Sequence, residues 1–360
     1  MKKINKLWFF PLLLVGFALM LTSSCEKDSN DDSVQPIDTT GTTPTIPVPP
    51  GWSKVGDINA NSMIWSLTSD ASGNIYAGGY FTNVGGYNYV AKWNGSVWSD
   101  IGLNANAGIM ALTTDASDNI YAVGFFSNGV TPDGGNHYVA KWDGAAWSDI
   151  GQSHFDLLLT TDAVGNVYNG RYKWNGTAWS NFGIIYGSIL ALATNPSGDA
   201  QYGGGDFALS SGYRYVAKWD GLAWSQLGSL NANNNINALA VDNVGNVYAA
   251  GSFTNGALPT TGHCYVAKWD GTEWSELGSL NANGSIYSLA IDNIKGYIYA
   301  SGYFSNSQGN SYVAKWDGTS WSDLGNMLLT PTPIYVDASG KLYSVIASED
   351  GTIFCVVVHD

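Results

Sequence analysis

The sequence predicts an all-β chain: a single seven-bladed β-propeller with four-stranded antiparallel blades, closed by an N-terminal strand that completes the C-terminal blade. Three observations predict it. An aromatic phrase recurs every 45 to 50 residues over most of the chain. Each unit holds four short alternating runs and no sustained helical period. The chain also opens on a lone fourth strand, GWSKVG at 51–56, and stops on a lone third strand, TIFCVVVHD at 352–360, so each terminus supplies what the other lacks.

Residues 1–25 are set apart from this body. Lys2, Lys3 and Lys6 form a positive start, an apolar run extends from Leu7 to Leu21, and small residues precede Cys25, which is the pattern of a secretory signal. A membrane span needs roughly 20 apolar residues, whereas this run is shorter and contains Pro11. The end of the signal resembles the lipobox of bacterial lipoproteins, with Thr22 where leucine is usual. That resemblance implies cleavage before Cys25 and a diacylglycerol on its thiol, giving a lipid anchor worth about 0.8 kcal/mol per buried methylene. From 26 to 50 the chain is rich in Pro, Thr and Asp and has few large apolar residues. It reads as a disordered tether, because it cannot bury enough surface to offset the entropy of ordering. The propeller then occupies 51–360.

The charge balance argues against nucleic acid as a partner. The formal net charge is −14, and removing the signal takes away three lysines and no acid, leaving 12 basic against 29 acidic residues, or −17. Charged residues make up only 12%, while 44 Gly and 15 Trp point to tight turns and an aromatic core. Cys264 and Cys355 fall in units that are not neighbours, too far apart for a disulfide, and are expected as buried free thiols. The chain is expected to be a monomer.

The repeat is clearest around Trp269, where YVAKWDGTEWSELG has counterparts in YVAKWNGSVWSDIG, YVAKWDGAAWSDIG, RYKWNGTAWSNFG, YVAKWDGLAWSQLG and YVAKWDGTSWSDLG. Its second tryptophan stands at Trp52, Trp98, Trp147, Trp179, Trp224, Trp274 and Trp321, at intervals of 46, 49, 32, 45, 50 and 47 residues. Residues 236–278 show the four strands in turn: INALAVD (a), NVYAAGSF (b), CYVAKWD (c) and EWSELG (d). Turns a–b carry D-x-x-G-N or close variants, and turns c–d carry D-G or N-G, residues that accept the positive φ of tight hairpins. Blades start near Ile64, Ile109, Asp156, Ile189, Ile236, Ile286 and Pro331. A four-stranded sheet that is apolar on both faces needs cover on both, and radial packing supplies it.

The phrases A-x-D-x-x-G-N-V-Y-x-x-G-x-F-T and V-A-K-W-D-G-x-x-W-S-x-L-G resemble propeller repeats of bacterial surface proteins. They are also similar to kelch-like repeats, as in the galactose-oxidase central domain, and to those of a fungal cortical cell-polarity marker. The resemblance covers 51–360 and speaks to fold rather than to function. With the acidic stretch after Cys25, it implies display in the cell envelope on the outer membrane, exposed at the surface.

A residue that packing needs seven times appears seven times, so departures from the repeat locate function. The b–c and d–a connections share one end of the ring and vary in length, which makes that end the expected working face. One position into strand a the blades carry Trp65, Met110, Leu157, Leu190, Asn237, Tyr287 and Thr332. This ring could offer stacking faces and an amide to a carbohydrate or peptide at the channel mouth, against the plainer reading of inter-blade packing. The 32-residue interval marks a short third blade and a notch, bordered by Asp133, His137, His154 and Asp156. Asn-Ala-Asn recurs at 59–61, 104–106, 231–233 and 281–283, either as amides for sugar hydroxyls or, as repetition favours, as a turn device. The lysine of A-K-W (Lys92, Lys141, Lys218, Lys268, Lys315) reads as half-buried and paired with a carboxylate such as the Asp of W-D-G.

Three functions follow as expectations. The first is a non-enzymatic extracytoplasmic module that binds a glycan, peptide or protein and needs no cofactor. The second is a polysaccharide-acting hydrolase or lyase using Asp133 and Asp156 near the notch. The third is a scaffold in an envelope complex. His137, His154, His263 and His359 lie in different blades without metal-ligand spacing. The cysteine-linked tyrosine and copper histidines of galactose oxidase have no positional counterpart, so no metal site and no such activity is expected.

Overall fold

A computed structural model describes residues 46–360, apart from 132–133, 153–156, 184, 258–259, 328–332 and 360. The segment 1–25, with Cys25, therefore lies outside the described residues. Seven separate antiparallel sheets of four strands each make the seven blades of an all-β propeller. Blade 1 runs Ile64–Ser69 (a), Ile75–Gly79 (b), Ala91–Trp93 (c) and Trp98–Asp100 (d). Strands a of neighbouring blades adjoin one another around the channel. They span Ile64–Ser69, Ile109–Thr114, Ile189–Thr194, Ile236–Val241 and Ile286–Asp292, but only Thr160–Thr161 in blade 3 and Tyr335–Val336 in blade 7.

The ring closes as the termini require. Trp52–Lys54 pairs antiparallel with Phe354–His359, in the register Trp52↔His359, Ser53↔Val358 and Lys54↔Val357. Beyond the strand, the Val55 amide donates to the Val356 carbonyl at 2.9 Å, and Ala60 and Phe354 exchange both backbone bonds. The last residues of the expected tether are also engaged. Ile46 and Val48 pack on the core shared by blades 6 and 7, and Pro49 lies against Gly325.

Each hairpin is held by its own side chains. In the a–b turn of blade 1, Asp70 accepts from the Asn74 amide (2.9 Å), the Asn74 side chain (2.6 Å) and the Tyr76 hydroxyl (2.8 Å). The same Asp–Asn–Tyr set recurs at Asp115, Asp162 and Asp242. A carboxylate beside a phenol that must lose water to sit there favours the neutral phenol, so Tyr76, Tyr121, Tyr168 and Tyr248 all ionise well above the usual tyrosine range. In the c–d turns, the Asp or Asn of W-[D/N]-G accepts the next two amides but one, as Asp270 does from Thr272 (2.8 Å) and Glu273 (3.0 Å). These acids are engaged in turns, which corrects the expected lysine pairing. Lys92, Lys141 and Lys268 instead lie over the strand-b rings of Tyr76, Tyr121 and Tyr248 at 5.3, 5.9 and 5.9 Å, and Lys315 lies 3.7 Å from the centre of the Tyr297 ring. Among the described residues the ion pair within 4.0 Å is Lys295–Asp292, outside that pattern.

The core lies between blades rather than within them. Each apolar cluster joins two neighbours, as Tyr202 and Val216 of blade 4 join Val247 and Phe253 of blade 5. The second tryptophan of the repeat rivets these junctions. Its indole N–H donates to the carbonyl three residues past the corresponding tryptophan of the preceding blade: Trp98 to Val55 (2.5 Å), Trp147 to Ile101 (3.0 Å), Trp179 to Ile150 (2.8 Å), Trp274 to Leu227 (2.7 Å), Trp321 to Leu277 (2.7 Å) and, across the closure, Trp52 to Leu324 (2.6 Å). The Trp224 indole is buried without such a partner. There Phe182 occupies the aliphatic position and packs on Trp219 and Trp224. The repeat's W-S-x-L-G glycine serves the same junctions: a Cβ on Gly56, Gly228 or Gly278 would lie 2.2–2.3 Å from Trp93, Trp269 or Trp316. Cys264 and Cys355 are free and buried, and burial raises both thiols above their ordinary range.

Candidate functional site

Antiparallel pairing puts the b–c and d–a connections on one rim of the channel and the a–b and c–d turns on the other. On the first rim the variable ring has a structural basis. In blades 1, 2, 4, 5 and 6 the ladder between strands a and b slips between the first and third residues of strand a. The residue skipped is Trp65, Met110, Leu190, Asn237 or Tyr287. A β-bulge leaves this residue out of the pairing, so the ladder no longer dictates its identity. The bulge in turn dictates the glycine that ends strand b. A Cβ on Gly79, Gly124, Gly205, Gly251 or Gly302 would stand 1.9–2.1 Å from a bulge carbonyl.

The residue after that glycine, the x of G-x-F, varies equally: Tyr80, Phe125, Asp206, Ser252 and Tyr303. This second ring was legible as a departure from the repeat, but sequence reasoning passed over it. The structure joins the two rings in two arcs. Across blades 5 and 6, Asn237 donates to the Ser252 hydroxyl (3.1 Å), Ser285 donates to the same oxygen (2.8 Å), and Tyr287 meets Tyr303 edge to face at 5.3 Å. Tyr287 and Tyr303 are 43% and 45% exposed, so the pair faces solvent despite its mutual contact. Across blades 1 and 2, the Tyr80 ring packs against Gly108, two residues before Met110, where a Cβ would stand 2.4 Å from it, and is 38% exposed. Trp65 is partly covered, and its indole N–H is buried without a partner. Burial raises the phenols of Tyr80 and Tyr303, the latter with help from Tyr287, so both stay neutral donors.

The Asn-Ala-Asn motif is a clamp. Its first Asn takes positive φ (42° to 50° at Asn59, Asn104, Asn231 and Asn281), and its Ala is buried. The third Asn holds the b–c loop of the blade it enters: Asn233 accepts from the Thr254 amide (2.9 Å) and donates to the Thr254 and Gly256 carbonyls (3.2 and 3.0 Å). Asn61, Asn106 and Asn283 do the same at Thr82, Ser127 and Ser305. These amides fix the loops that carry the rim.

At the notch, strands b and c of blade 3 are joined by Gly170 and Arg171 alone. His137 sits at its blade-2 border with Nδ1 3.0 Å from the Phe126 carbonyl. Asp133, His154 and Asp156, like Thr332 of the variable ring, lie outside the described residues. Among the described residues, no group of three His, Cys, Asp or Glu side chains is arranged to hold a metal ion.

No protein-family model matches the chain, and no curated protein matches it. Solved structures do. The chain is similar to the extracellular domain assigned to the hybrid two-component system BT3049 from B. thetaiotaomicron, with a TM-score of 0.57 and 13% identity, over 87% of this chain and 41% of that one. It is similar to a chain of the mitotic checkpoint complex at a TM-score of 0.58 and 13% identity, over 95% and 100% of the two chains. It is also similar to YCF48 bound to D1 peptide at a TM-score of 0.52 and 13% identity, over 87% and 97%. At such identity the likeness is one of fold, the β-propeller, which hosts many unrelated functions. The chain spans 41% of the length of the BT3049 protein chain.

Proposed function

We propose that this protein is a non-enzymatic binding module of the cell envelope, anchored through a lipid on Cys25, that recognises a glycan at the b–c/d–a rim of its channel. The observation that carries this reading is the Tyr287–Tyr303 pair beside the Asn237–Ser252–Ser285 chain. Exposed aromatic faces next to a line of neutral donors and acceptors suit the alternating apolar and hydroxylated faces of a sugar ring. Tyr80, 38% exposed, and the partly exposed Trp65 extend the aromatic surface to blades 1 and 2. Sites of this kind sit on rigid frames, and the asparagine clamps supply the rigidity.

The test is an array of envelope and host polysaccharides probed with the full chain. Tyr287→Ala and Asn237→Ala should each weaken glycan binding at least about tenfold, equivalent to about 1.4 kcal/mol. Binding that survives both substitutions would remove the rim from consideration. Release of shorter saccharides, abolished by changing Asp133 or Asp156, would instead make the protein a hydrolase or lyase. A peptide ligand is the second reading, supported by the shared fold of YCF48 bound to D1 peptide. For the anchor, Cys25→Ala should shift the protein from the membrane to the soluble fraction.

A further inference from the structure

The opposite mouth of the channel, ringed by the a–b turns, holds a cavity of about 510 Å³. We infer that this cavity is a second ligand site, taking a small neutral polyhydroxylated molecule of monosaccharide size.

Its wall carries a belt of hydroxyls, Thr68, Ser69, Thr114, Thr160, Thr194 and Tyr335 among them, beside the aspartates and alanines of the a–b turns. They bond in pairs across blade junctions, Thr68 with Thr114 at 2.9 Å, Ser69 with Tyr335 at 2.9 Å and Thr160 with Thr194 at 3.1 Å. A hydroxyl has one proton and two lone pairs, so a pair that bonds only within itself keeps one proton and three lone pairs for another partner. Thr194 gives its proton to Gln201 Oε1 (2.6 Å), so Thr160 donates within its pair and keeps both lone pairs. The wall therefore both donates and accepts, as a polyol requires.

These hydroxyls are not a demand of packing. At the same two positions of strand a, blade 5 carries Ala240 and Val241 and blade 6 carries Ala290 and Ile291, and neither blade lines the cavity. Hydroxyls and cavity coincide in blades 1 to 4 and 7. Four carboxylates also line the cavity: Asp70, Asp115 and Asp162 are engaged by their own turn amides, asparagines and tyrosines, and Asp118 accepts from the Ala71 amide at 2.8 Å. They contribute negative potential and no donors, which disfavours an anion, and among the described residues no three of them are grouped to hold a metal ion, so the hydroxyls select a neutral ligand. Such a ligand would replace water hydroxyl for hydroxyl, at little cost in hydrogen bonding. A cavity of several hundred Å³ is of ligand size.

The test is a titration of the purified full chain with glucose, galactose and mannitol, using sodium sulfate as the anionic control, followed through threonine-methyl NMR signals. The expected result is saturable shifts at Thr68, Thr114, Thr160 and Thr194. Binding should weaken at least tenfold in Thr114→Val and Thr194→Val and stay unchanged in Tyr287→Ala. No saturable shift up to the solubility limit, shifts confined to the opposite rim, or an equal response to sulfate would overturn the inference. If either valine variant fails to fold, the methyl map of the unaltered protein decides alone. Loss of array binding in Tyr287→Ala and Asn237→Ala reads the other rim, so either site can fail without the other.

Discussion

Blades 3 and 5 carry the same phrases, yet they differ wherever a neighbour is involved. Within its own sheet blade 3 keeps the side-chain contacts of both hairpins. It has the Asp162–Asn166–Tyr168 turn, the Trp174–Trp179 pair at 5.7 Å and Lys173 over Tyr168 at 5.5 Å. Between sheets it is thin. Among the described residues, the cores joining it to blades 2 and 4 hold four buried residues each, against thirteen between blades 4 and 5. Blade 3 has a two-residue strand a, and the junction that follows it leaves the Trp224 indole unpaired. Blade 5 has the bulge, the Asn233 clamp and the Trp274 rivet. The repeat phrase thus encodes a hairpin pair, whereas a junction requires two compatible phrases in succession.

Four tests probe that contrast, taken from the largest effect downward. Deleting residues 51–56 removes strand d of blade 7 and the closing rivet, leaving the apolar Phe354–His359 strand without its outer partner. Loss of a cooperative unfolding transition and of the near-ultraviolet tryptophan dichroism is expected. Next, Gly251→Ala drives a methyl to 2.1 Å from the Asn235 carbonyl and should cost about 2–3 kcal/mol in urea unfolding. Arg171, four residues into blade 3 from Val167 as Gly251 is from Val247 in blade 5, already carries a side chain, so Arg171→Ala meets no such clash and loses the guanidinium bond to the Gly187 carbonyl, a cost of about 1 kcal/mol.

The rivets give a finer comparison. Trp274→Phe leaves the Leu227 carbonyl without its donor, while Trp224→Phe deletes an N–H that has no partner to lose. The first should therefore be the more destabilising by about 1 kcal/mol, and an equal cost would mean that the indole bonds add nothing to junction strength. The smallest difference is expected where the blades agree. Burial and the adjacent carboxylate raise Tyr168 and Tyr248 alike. A phenol held neutral in the fold adds stability that is whole below about pH 10, the unfolded value, and that declines as pH climbs toward the folded one. Melting temperature should fall with alkali above that point, and Tyr168→Phe and Tyr248→Phe should flatten the fall equally. A much larger effect in either would show that the local turn is not the same in both.

Much of the fold was legible because its signals are local. Asp-Gly and Asn-Gly turns, alternating strands and the second tryptophan of each phrase lie within a few residues of their partners, so blade number and strand order follow from spacing. Closure was legible for a similar reason, since a lone strand d at one end and a lone strand c at the other leave one way to complete a sheet. The variable ring could be located but not explained. Trp65, Asn237 and Tyr287 stood out by departing from the repeat, while the bulge that frees them depends on how strands a and b slip in register. The lysines were misread because the nearest carboxylate in sequence is already engaged in its own turn, and a tyrosine ring on the adjacent strand lies under the ammonium instead.

What the sequence by itself determined is therefore the hairpin and the number of blades, where the interacting groups are neighbours along the chain. Only the tertiary structure decided which residues meet across junctions: the indole bonds, the Asn237–Ser252–Ser285 line and the threonine pairs of the opposite mouth. The physical reason is distance along the chain. Thr68 and Thr114 lie 46 residues apart, and their hydroxyls come within 2.9 Å only when two sheets pack at an angle set by the whole ring.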